Sequence, residues 1–153
     1  MVTAPPILDE ETAARLRVTI ARLSRRLRPT AAGAAARLTP TKSSVLLTVV
    51  RAGELRLSEL AEGENLNPTM LSRVIADLGH AGLVERVSDA GDRRAAWVRA
   101  TAAGRRLAER MRRERTAALN NALEGLSEDD RRSIERALPA LEGLAHELRD
   151  RRL

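Results

Sequence analysis

Apolar residues return along this chain with two different periods, and the change between them divides it. From Asp9 to Arg28, Leu16, Ile20, Leu23 and Leu27 recur at steps of four, three and four, with arginines on the remaining faces. That spacing predicts an amphipathic helix. Pro29 ends it, and the Ala-rich stretch around Gly33 predicts a loose connection or one extra turn. Thr39-Pro40 pairs an N-cap with a proline at the first helical position, and the helix carrying Val45, Leu46, Val49 and Val50 stops near Gly53. Ser58 is expected to cap a short helix through "ELAEGE", with Asn65 in the left-handed turn behind it. Asn67-Pro68 repeats the cap-plus-proline signal and opens "TMLSRVIADLGHAG". In that helix Met70, Leu71, Val74, Ile75 and Leu78 read as an inward stripe. Pro68, Thr69, Ser72, Arg73 and Asp77 read as outward, and Gly82 closes the helix.

The period then falls to two. "LVERVS" and "AAWVRA" are short extended runs on either side of a Gly-containing turn, residues 89–94, which predicts a β-hairpin. Trp97, the only aromatic residue, is expected to pack this hairpin on the core, with stacking on a base as the alternative. Thr101 caps a long helix to about Gly125 through Leu107, Met111, Ala118, Ala122 and Leu126. Ser127-Glu128-Asp129-Asp130 is a capping box for a last helix bearing Ile134, Leu138, Leu141 and Leu148.

Composition changes this picture in one respect. The chain has 153 residues and a net charge of +6, and every basic residue except Lys42 is arginine. Between Leu83 and Arg115 ten arginines face five acids, so most of the excess sits in about a fifth of the length. A charge concentrated in this way favours a polyanionic partner. There is no cysteine, which removes disulfides, thiolate metal sites and thiol redox sensing. The start of the chain has neither the basic nor the apolar region of a signal peptide, and no apolar run is long enough to span a bilayer. A cytoplasmic protein without membrane association is expected.

Enzymatic chemistry has little to stand on. His80 and His146 are far apart with no carboxylate spaced for a triad or a metal, and no phosphate-binding glycine motif follows a strand. The acids Glu128 to Asp130 fall where a helix N-terminus favours negative charge. No cofactor and no metal site are expected.

Helix, short helix, tight turn, helix and hairpin form the order of a winged helix-turn-helix. The major groove of B-DNA is about 12 Å wide and accepts one helix, whose N-terminal residues meet the base edges. The helix from Pro68 suits that entry, with Thr69 and Ser72 in its first turns and Arg73 above them. The hairpin tip can place an arginine in the neighbouring minor groove. Asp92, two residues before Arg94, can accept a bidentate bond that orients the guanidinium. The architecture expected is mainly α with a small β-hairpin wing. Residues 1–38 form an N-terminal helix and connection, 39–104 the winged helix-turn-helix, and 105–153 the C-terminal helices.

Residues 57–104 resemble the core of the MarR family of bacterial transcriptional regulators. The "LA" of the first short helix, the "GLVER" exit, the "DRR" wing and the "TAAG" helix start stand in the family's order and spacing. The resemblance implies DNA reading by Asn67, Thr69, Met70, Ser72 and Arg73, beside Pro68 at the helix start. It places Arg94 in the minor groove, oriented by Asp92, with Arg93 on the backbone. Glu64 and Ala100 depart from the family, which usually has an apolar residue and Leu there. The family also implies a homodimer, and the terminal stripes support it independently. A two-fold axis packing Leu16, Ile20, Leu23 and Leu27 with Leu138, Leu141 and Leu148 would hide them. Two recognition helices would then stand about 34 Å apart on a pseudo-palindromic operator. The expected function is a sequence-specific regulator, a repressor, with a non-specific architectural DNA binder as the alternative. Many members release DNA when a small aromatic or phenolic acid binds between the dimerisation helices and the DNA-binding lobe. An arginine-lined cleft would suit such an anion, but no motif says which arginines line it.

Overall fold

The computed structural model describes residues 8–88 and 96–150. Its elements run α1 (Glu10–Leu27), α2 (Ala31–Ala35), α3 (Pro40–Ala52), β1 (Glu54–Arg56), α4 (Leu57–Gly63), α5 (Pro68–His80), β2 (Val84–Ser88), β3 (Ala96–Ala100), α6 (Ala102–Glu124) and α7 (Glu128–Asp150). The chain divides into two compact units, residues 1–115 and 116–153.

The first unit is built largely on local signals. Thr39 and Asn67 cap α3 and α5 through side-chain oxygens that accept from Lys42 N and Met70 N, each with proline in the first turn. Three helices end in the same double hydrogen bond. Behind α2 the pair is Leu38 N to Gly33 O and Arg37 N to Ala34 O; behind α4 it is Leu66 N to Ala61 O and Asn65 N to Glu62 O. Behind α5 it is Leu83 N to Leu78 O and Gly82 N to Gly79 O. Each motif needs one left-handed residue, supplied by Arg37 (φ 54°), Asn65 (φ 52°) and Gly82 (φ 69°). The Ala-rich stretch is therefore a formed helical turn with a defined end, more ordered than a loose connection.

One apolar core holds these elements. Val45, Leu46 and Val49 of α3, Leu60 of α4, Leu71, Ile75 and Leu78 of α5, Val98 of β3 and Met111 of α6 are all at most 2% exposed. Gly104 is what lets α6 close over this core. A Cβ there would lie 2.0 Å from Leu83 O. The same carbonyl accepts from Thr101 N at 3.1 Å, and the Thr101 hydroxyl donates to Gly82 O at 2.6 Å. The helix start is thus locked onto the end of α5.

The sheet has three strands, not two, in the order β1-β3-β2 and antiparallel throughout. β1 was not expected; three residues, Glu-Leu-Arg, are too short for alternation to be read. Register explains a second correction. Val98 and Ala100 of the central strand face the core, so Trp97 points to the opposite, outer face. There it stands between Arg56 and Val87, with the Arg56 guanidinium 5.2 Å from the ring centroid. Trp97 therefore packs under an arginine and not on the core. The neighbouring outer row is Glu54, Arg99 and Glu85, in which Arg99 Nε meets Glu85 Oε1 at 2.7 Å. That bond, reinforced by the charges of Glu85 and Glu54, raises the arginine's pKa above its ordinary value.

A third correction concerns α4. Its N-cap is Arg56, whose backbone N–H is accepted by Glu59 at 3.3 Å, and Ser58 already lies inside the helix.

In the second unit Ser127 caps α7, its Oγ accepting from Asp130 N at 3.1 Å. Apolar side chains of this unit are exposed, among them Leu119, Leu126, Ile134, Leu138, Leu141, Leu144 and Leu148. No helix among the described residues is long and apolar enough to cross a membrane.

Candidate nucleic-acid interface and a basic cleft

α5 buries Leu71, Val74, Ile75 and Leu78 and leaves Pro68, Thr69, Ser72, Arg73 and Asp77 exposed, as the pattern predicts. Met70 is the exception. It is 50% exposed, because position 70 falls three residues before Arg73 and shares its outward face. Met70 therefore leaves the inward stripe and joins the surface row with Thr69 and Arg73. Asn67 spends its side-chain oxygen on the helix cap, 2.8 Å from Met70 N, so its free amide hydrogens are donors only. Arg73 has no ion-pair partner among the described residues. A fully charged group left unpaired beside two small polar side chains, on a helix whose back is fixed in the core, is suited to meet an anion.

Among the described residues one ion pair ties this helix to the rest of the unit from outside the core. Lys42 Nζ, on the first turn of α3, lies 2.8 Å from Asp77 Oδ2. Its hydrogen bond and charge hold the Asp77 carboxyl below the usual carboxylate value. A lowered folded pKa means stability that is present above the unfolded value and is lost as pH falls through the folded one. Thermal unfolding followed below about pH 4 should therefore show a steeper acid loss for the parent than for Asp77→Asn. Identical slopes would mean that the pair contributes nothing.

Asp92, Arg93 and Arg94 lie outside the described residues, so the wing-tip assignments have no geometry here. The strands that lead to them are in place.

Away from α5, a cleft of about 690 Å³ opens among α1, α3, the end of α4 and Arg115 of α6. Three arginines line it, Arg28, Arg51 and Arg115. Arg115 is half-buried; its Nη2 donates to Arg28 O at 3.1 Å, while its buried Nε has no partner. Burial first, and then the charge of Arg28, push its pKa below the ordinary value. Glu64 is the one carboxylate on the lining, and it accepts the Thr48 hydroxyl at 2.5 Å. This is how the chain accommodates an acid where the resembling family is apolar. Sequence reasoning could not name the arginines of such a cleft, because its residues come from four separate segments. Among the described residues no group of three or more His, Asp or Glu side chains is placed to hold a metal ion.

The family model described as MarR family matches residues 38–96. These residues form a MarR-family winged-helix domain. Outside the matched stretch, the likeness to solved structures over the flanking helices is one of fold. A protein from Pseudomonas aeruginosa, solved as a candidate transcriptional regulator, is 29% identical with a TM-score of 0.75, over 92% of this chain and 99% of that one. NadR in complex with 4-hydroxyphenylacetate is 20% identical with a TM-score of 0.61, over 92% of this chain and 96% of that one. FabT from Streptococcus pneumoniae, solved in complex with DNA, is 18% identical with a TM-score of 0.63, over 90% and 93%. No curated protein matches the sequence. The second departure from the MarR pattern, Ala100, is 4% exposed within the core, so the smaller side chain is packed.

The apolar residues expected to make a dimer are accessible. Ile20 (43%), Leu23 (53%), Leu138 (51%), Leu141 (39%) and Leu148 (53%) are exposed, while Leu16 and Leu27 are half-buried. α1 has no buried residue.

Proposed function

We propose that this DNA-binding, MarR-family regulator acts as a homodimeric repressor on a pseudo-palindromic operator and is released by a small anionic ligand. The observation that carries the DNA reading is Arg73, exposed and without a partner among the described residues, next to Thr69, Met70 and Ser72 on a helix seated by four buried side chains. Pro68 and Asn67 set the start of that helix, and the wing would add Arg93 and Arg94, with Asp92 orienting the latter. The complex of FabT with DNA supports a duplex partner, and that of NadR with 4-hydroxyphenylacetate supports a small acid as ligand. The dimer reading rests on the apolar stripes. Residues 1–38 and 105–153 would bring together Leu16, Ile20, Leu23 and Leu27 with Leu138, Leu141 and Leu148. Apolar rows of this length are rarely left to water on a monomer.

Sites selected from random DNA should yield two half-sites about 34 Å apart, centre to centre. On such a site Arg73→Ala should cost about 1–3 kcal/mol and relax the preference at one base pair per half-site. The preference for the selected site over random DNA should persist as salt rises, although both affinities fall. An architectural binder would lose the two together, which is the outcome that decides for the alternative.

A further inference from the structure

The basic cleft is better matched to a phosphorylated, hydroxyl-rich small molecule than to an aromatic acid. We infer that Arg28, Arg51 and Arg115 bind the phosphate of such a ligand, a sugar phosphate in chemical class, and that Glu64 and the neighbouring hydroxyls receive its polyol end. The inference deepens the reading of the chain as a ligand-released regulator; only its regulatory consequence rests on that reading.

Charge comes first. Three arginines and one glutamate line the cleft. Among the described residues neither nearby acid forms an ion pair with them. Glu64 accepts from Thr48, and Glu114, the neighbour of Arg115, accepts the Ala32 N–H at 3.2 and 3.1 Å with its two oxygens. Arg115 is therefore held half-buried beside a like charge, with one donor facing no acceptor. Holding a half-buried cation beside a like charge is costly, and an anion arriving between the two offsets that repulsion. A phosphate monoester, with close to two negative charges and three acceptor oxygens, offsets more than a monocarboxylate does.

The rest of the lining argues the same way. Ser24, Thr41, Ser44 and Thr48 contribute hydroxyls, and Asn65 an amide. These groups, with the Glu64 carboxylate, can exchange hydrogen bonds with several ligand hydroxyls. An aromatic ring would find no partner to stack on, since Trp97 is the chain's only aromatic residue and lies on the outer face of the sheet. About 690 Å³ is ample for a pentose or hexose phosphate.

Calorimetry on the full chain without DNA tests this with four probes: ribose 5-phosphate, glucose 6-phosphate, inorganic phosphate and 4-hydroxyphenylacetate. At least one sugar phosphate should bind about tenfold or more tightly than either of the last two. Arg115→Gln and, independently, the exposed Arg51→Gln should each weaken it about tenfold, while Arg110→Gln, outside the cleft, should not. The inference is overturned if neither sugar phosphate binds, if inorganic phosphate binds equally well, if 4-hydroxyphenylacetate binds more tightly, or if both cleft variants bind like the parent. A chain that binds sugar phosphate but no DNA would lose the regulator reading and keep the site. One that binds DNA but no sugar phosphate would lose only the site.

Discussion

Gly104→Ala should lower the stability of the folded chain by about 3 kcal/mol or more, although it adds a single methyl group. The added carbon would stand 2.0 Å from the Leu83 carbonyl oxygen and 3.0 Å from its carbon. That neighbour is backbone, so no side chain can rotate out of the way. Moving Leu83 would break the bond its carbonyl accepts from Thr101 N and disturb the closing motif of α5, in which Leu83 N donates to Leu78 O. Moving α6 instead would lift Leu107, Ala108 and Met111, all at most 3% exposed, from the core. In urea, the midpoint should fall with little change in slope. A midpoint within error of the parent's would show that α6 and the Leu83 turn are not in this contact.

Leu78→Ala is expected to cost about 2–5 kcal/mol, because it leaves a cavity where a fully buried side chain now packs. Its position makes the result informative. Leu78 lies in the last turn of α5, on the face opposite Arg73, and its carbonyl also anchors Leu83. The comparison is Ser72→Ala on the exposed side of the same helix, which should change stability by no more than about 0.5 kcal/mol. Chemical denaturation of the two variants side by side measures how firmly the presented face is held from behind. Equal effects would mean that α5 is not seated as described.

How far the sequence could be read depended on whether each signal was local. The caps Thr39 and Asn67, the left-handed Asn65 and Gly82, and the inward row Leu71, Val74, Ile75 and Leu78 are written in a few consecutive residues, and each is found. Most of the misreadings arise where strand register or a tertiary neighbour decides, and one where helical angle does. β1 is only three residues long and owes its existence to pairing with β3. Trp97 faces outward because Val98 beside it is the residue the core takes. Met70 is apolar, yet its angular position puts it among polar neighbours. The helix start at Arg56 follows from the strand that precedes it. Apolar stripes on the terminal helices were legible, but a stripe does not name what covers it. The lining of the cleft was not legible, since Arg28, Arg51, Glu64 and Arg115 meet only once the chain has folded.

The Lys42–Asp77 contact has a practical side. Apart from the chain's own amino terminus, no other group in this arginine-dominated sequence is an aliphatic amine. Succinimide dyes, biotinylation reagents and sensor-chip coupling chemistry would converge on Lys42 and unclip α5 as they react. Fluorescent or immobilised preparations are therefore better made through an introduced cysteine on α7.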